Sequence, residues 1–80
     1  MANTPHTLGS EFPDQLPAIH ALKARDAAFA RLLAEYDQVN DQVHRAETRL
    51  DAVSEDAEHL LRKRRLAIKD AIATALARAG

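Results

Sequence analysis

The sequence predicts an all-α protein: a two-helix antiparallel coiled-coil hairpin behind a flexible N-terminal arm, with scope to dimerise into a four-helix bundle. Three observations predict it. The prolines Pro5, Pro13 and Pro17 and the internal Gly9 all lie in the first seventeen positions, and glycine returns only at Gly80. A long apolar seam then runs at alternating three- and four-residue steps. Finally, that seam changes phase at Ser54-Glu55-Asp56.

Residues 1–15 hold most of the breakers and read as the arm. Asp14 is a candidate N-cap for a helix opening near Pro17, since proline is tolerated in a first turn. The first helix is expected over 16–52. Its seam is Phe29, Leu32, Tyr36, Val39, Val43, Ala46, Leu50 and Val53, about three and a half heptads of coiled-coil spacing. Ala18 and Leu22 continue the rows backwards across an interruption at Arg25. Ile19 and Leu33 flank the seam.

A turn is expected at 52–55, followed by a second helix over 55–79. Ser54 suits an N-cap, and Glu55 and Asp56 place negative charge at the positive end of the new helix. The second apolar set is Ala57, Leu61, Ile68, Ala71, Ile72, Ala75 and Ala79. A continuous helix in a long parallel dimer is the competing reading, because neither glycine nor proline marks the turn.

The run Arg62-Lys63-Arg64-Arg65 invites a nucleic-acid interpretation. At about 100° per residue, however, it forms a collar around the helix rather than a stripe along it. Arg62, Arg65 and Lys69 share one side, with Glu58 as an i,i+4 partner for Arg62. These three are the candidate nucleic-acid contacts. Arg64 falls between Leu61 and Ile68, and hairpin register sets it opposite Val43. Glu47 is its expected partner, a polar pair that fixes register.

The stretches IHALKARDAAFARLLAEYDQVNDQVHRAE (Ile19–Glu47) and LLRKRRLAIKDAI (Leu60–Ile72), with Glu11-Phe12-Pro13 upstream, resemble the YdcH-like family of small bacterial proteins. Ala28 and Asp37 stand where histidine is common in that pattern, and Ala71 where glutamate is usual. The resemblance implies a helical hairpin of unknown function and no activity.

Composition narrows the chemistry. There is no cysteine, so no disulfide or Cys-based zinc site exists. His6, His20, His44 and His59 contain no i,i+4 metal pair, and two glycines cannot build a phosphate loop. The two serines, Ser10 and Ser54, belong to no recognisable nucleophilic arrangement. No catalytic residue, cofactor or metal is therefore expected, and the chain reads as non-enzymatic. A net charge of −1 draws it to no polyanion as a whole.

The opening residues lack a basic, then apolar, leader, and no stretch approaches the roughly 18 apolar residues of a membrane span. A cytoplasmic location without a membrane span is expected. A domain of this size buries only about 60% of its unfolded surface, and the chain has ten leucines but seventeen small alanines. Small domains without disulfides or metals often recruit a partner. The second helix is too short to cover the start of the first, so Leu16, Ile19 and Leu22 overhang unless the tail folds over them with Leu8 and Phe12. Leu66 points outward. These four are the candidate interaction residues, for a homo-oligomer or a helical protein partner.

Overall fold

Beyond Pro17 the described residues are helical except at Asp26, at Thr48 and over 52–54. The computed structural model describes residues 6–48 and 52–79. Among these described residues four α-helices follow one another: α1 (Leu8–Glu11), α2 (Leu16–Arg25), α3 (Ala27–Glu47) and α4 (Glu55–Ala79). An unbroken helix over 16–79 would span about 96 Å. The longest dimension of the molecule is 39 Å, close to the about 38 Å of α4 alone, so the chain doubles back and the continuous rod is excluded.

Polar side chains cap α1, α3 and α4 at their N-termini, whereas the N-cap of α2 makes no side-chain hydrogen bond. Thr7 caps α1, its Oγ1 accepting from the Ser10 N–H at 3.2 Å. A turn follows at Pro13-Asp14, with the Gln15 N–H donating to the Phe12 carbonyl at 3.1 Å. Gln15, not Asp14, is the N-cap of α2, and Pro17 lies in the first turn as expected. Ser54 caps α4 as expected, accepting from the Ala57 N–H at 3.1 Å. Glu55, Asp56 and Glu58 fill that helix's first turn.

The long first helix expected over 16–52 is instead two helices. Asp26 leaves helical geometry, with φ −133° and ψ 102°, and serves both as C-cap of α2 and N-cap of α3. Its Oδ1 accepts from the Phe29 N–H at 3.1 Å, satisfying a donor that an unbroken helix would pair with a carbonyl one turn back. Helix α3 also stops earlier than expected, at Glu47. There the Thr48 hydroxyl donates to the His44 carbonyl at 2.8 Å, the local competition for backbone acceptors that weakens helices at threonine. Ala52, Val53 and Ser54 lie outside the helices, and Leu50 lies outside the described residues.

Helices α3 and α4 are the antiparallel pair. As α4 advances from Arg62 to Arg65, its partners on α3 retreat from Glu47 to Asn40. The break at Asp26 lets α2 fold against both of them. Ile19 and Leu22 therefore join the core with Phe29, Leu33, Tyr36, Val39, Val43, Ile68, Ile72 and Leu76. The expected overhang does not exist.

Nor is the described part of the arm loose. Phe12 is 8% exposed and belongs to the same core, with Leu8 packed against it. The Tyr36 hydroxyl, fully buried, donates to the His6 carbonyl at 2.6 Å. His6 there takes φ 61°, a left-handed conformation uncommon outside glycine but better tolerated by histidine than by most residues.

Candidate interaction site: a cationic row on the fourth helix

The i, i+3, i+7 spacing of Arg62, Arg65 and Lys69 puts them on one side of α4. Each meets an acceptor on a different part of the fold. Arg62 donates from Nη2 and Nε to Glu47 Oε2, at 2.9 and 3.2 Å. Its Nη2 also lies 3.1 Å from Glu58 one turn before it. Arg65 donates to Asn40 Oδ1 at 3.0 Å. Lys69 reaches back to Glu11 Oε1 at 3.1 Å. The row thus ties α4 to the end of α3, to its middle, and to the arm.

The electrostatics agree with this arrangement. Hydrogen bonding to Glu47, with Glu58 nearby, raises the Arg62 pKa further above its usual value. The Lys69 ammonium beside Glu11 holds that carboxyl below the usual carboxylate range, with His6 Nδ1 3.3 Å away adding to the effect and partial burial opposing it. Burial pushes the Tyr36 phenol above its ordinary value, reinforced by the negative charge of Glu11 and opposed by Arg65.

The expected Glu47–Arg64 pair is not formed. Glu47 takes Arg62, and Arg64 is exposed. The axial register is nearly as expected, but α4 is turned so that Leu61, Arg65, Ile68, Ile72 and Leu76 face inward, not Leu61, Arg64 and Ile68. The polar position in the seam belongs to Arg65. Its partner Asn40 is 4% exposed, and no buried side-chain nitrogen or oxygen among the described residues lacks a hydrogen bond.

Of the four candidate interaction residues, Ile19 and Leu22 are buried and Leu16 packs on the core. Leu66 alone is an outward-facing side chain, 57% exposed, and Leu60 on the same helix is 64% exposed. A surface hollow of about 290 Å³ lies where α1, α2 and α3 meet, lined by Leu8, Leu16, Ile19 and Leu33 with Lys23 and Asp37 among its polar groups.

Sequence reasoning did not assign Glu11, His6 and Tyr36 to one cluster. The one available signal was the apolar pair Leu8 and Phe12 flanking an acid in an otherwise polar arm. Among the described residues no group of three or more His, Cys, Asp or Glu side chains is placed to hold a metal. No helix there is long and apolar enough to cross a membrane.

The model of the family described as "Protein of unknown function (DUF465)" matches residues 29–76. The chain belongs to this family. The match corresponds to the YdcH-like small helical domain expected from the sequence. No curated protein and no solved structure matches the chain. The DUF465 segment covers α3 from Phe29, the link and α4 as far as Leu76, so it contains both register contacts, Glu47–Arg62 and Asn40–Arg65. The third contact of the row, Glu11–Lys69, joins the DUF465 segment to the arm upstream of it.

Proposed function

We propose that this is a non-enzymatic protein-interaction module that self-associates through the outer face of α4. The observation that carries the reading is how little charge that face carries. Between Leu66 and Ala77 the exposed positions are Leu66, Ala67, Ala71, Ala73, Thr74 and Ala77, and Asp70 is the exposed charge among them. Lys69, the other ion of the stretch, is turned to Glu11. In a chain that is 29% charged, this is an outer helix surface unlike its surroundings. Small side chains let a second helix approach closely, and Leu66 supplies apolar area at one end.

The test is light scattering at tens of micromolar on the wild-type chain and on Ala71→Glu. A dimer mass that falls to the monomer in the variant, with helical content unchanged, supports the reading. A strictly monomeric wild-type chain overturns it.

A nucleic-acid role for Arg62, Arg65 and Lys69 is the weaker alternative. A phosphate backbone would have to displace Glu47, Asn40 and Glu11 from them. Salt-dependent DNA or RNA binding at about 50 mM salt, abolished by glutamine at these three positions, would promote it.

A further inference from the structure

We infer that the arm, residues 6–15, is exchangeable between molecules: its seat across α3 and α4 is a docking site for the same arm of a second copy. The inference stands apart from the α4 face, because it concerns different residues.

The polar anchors of the arm are remote in sequence. The His6 carbonyl takes its hydrogen bond from Tyr36 on α3, and Glu11 meets Lys69 on α4. Phe12 enters a core built from α2, α3 and α4. What ties the arm to its own molecule is one turn at Pro13-Asp14, closed by the Phe12–Gln15 backbone bond. The seat therefore defines an occupant by chemistry alone: an acid followed at once by phenylalanine, an upstream leucine, and a free carbonyl for the Tyr36 hydroxyl. A second copy supplies each of these by identity.

Exchange preserves every anchor contact and breaks only the turn, which is why swapped elements are a low-cost route to dimers. With Glu11 and Phe12 seated on the second copy, the tether is Pro13 to Gln15, about 10 Å when extended, so two molecules that exchange arms meet at the starts of their α2 helices.

The chain has no cysteine, so introduced thiols report on their own placement. Glu11→Cys and Lys69→Cys would be made in separate chains, mixed, and treated with a short bis-maleimide. A linker is needed because a Glu–Lys pair holds its Cβ atoms farther apart than a disulfide allows. The control pairs Glu11→Cys with Lys63→Cys, an exposed position on α4.

Arm exchange gives several-fold more cross-linked heterodimer from Glu11→Cys with Lys69→Cys than from the control, reduced by excess wild-type chain. A yield no greater than the control overturns the inference. So does a double variant, Glu11→Cys with Lys69→Cys in one chain, that closes only on itself or does not close at all. Repeating the mixture in the Ala71→Glu background separates the two interfaces, since exchange survives there even when association through the α4 face is lost.

Discussion

Arg65 on α4 holds the Oδ1 of Asn40 on α3 at 3.0 Å, across the centre of the antiparallel pair. Asn40 is the buried polar side chain there, in a row that is otherwise Tyr36, Val39, Val43 and Ala46. Removing the guanidinium takes a charged donor from a buried acceptor, a loss of about 1–3 kcal/mol. Arg65→Met is therefore expected to lower the urea midpoint clearly. Arg64→Met, at an exposed neighbouring position, should stay within about 0.5 kcal/mol of wild type. Equal effects at the two positions would mean that α4 is turned differently.

The Glu11–Lys69 pair carries a pH signature. The carboxyl is held below its usual value of 4.5, first by Lys69. Its contribution to stability is then fully present above that value. It is lost as pH falls from about 4.5 through the lowered folded pKa. Both side chains are partly exposed, so the pair is worth no more than about 0.2–1 kcal/mol. Melting temperatures of wild type and Glu11→Gln should differ slightly at neutral pH and converge in acid.

Tyr36 is the sole tyrosine of the chain, so its ionisation can be read directly from tyrosinate absorbance. Burial raises its pKa above 10.0, and the stability linked to the neutral phenol is complete below that pH. That stability declines as pH rises through the folded value, because the unfolded chain ionises first. The folded titration should therefore have its midpoint above 10. Tyr36→Phe, which removes the bond to the His6 carbonyl, should cost about 0.5–1.5 kcal/mol in a urea melt.

Asp26 is both the end of α2 and the cap of α3. Replacing an aspartate N-cap with alanine costs about 0.5–2 kcal/mol. Asp26→Ala should destabilise by that amount in thermal melts, and protection of the Ile19 and Leu22 amides from hydrogen exchange should fall.

The hairpin was legible because its signals are local and repeated. A seven-residue rhythm from Phe29 to Ala46 and a serine followed by two acids at Ser54 need no knowledge of the rest of the fold. The bend at Asp26 was harder to see: an aspartate before Ala-Ala-Phe caps a helix well, but an alanine-rich run also suits an unbroken one. Only the space beside α3 and α4 makes folding α2 back the better choice. The same limit applies to Arg64 and Arg65, where a rotation of about 100° separates a solvent-facing arginine from a seam arginine. Spacing from Leu61 to Ile68 fits three-then-four steps as well as four-then-three. The arm's seat was least visible, because Glu11, Tyr36 and Lys69 are brought together by tertiary structure alone.

The bend has a further consequence. Straightened, residues 16–47 would form a rod of about 48 Å beside an α4 of about 38 Å. The surplus would leave Leu16, Ile19 and Leu22 as a bare adhesive end, able to dock head-to-tail on successive molecules and grow fibres. One aspartate in the right place tucks that end under its own roof. A variant that lengthens this rod should therefore show itself first as turbidity, before any loss of helix.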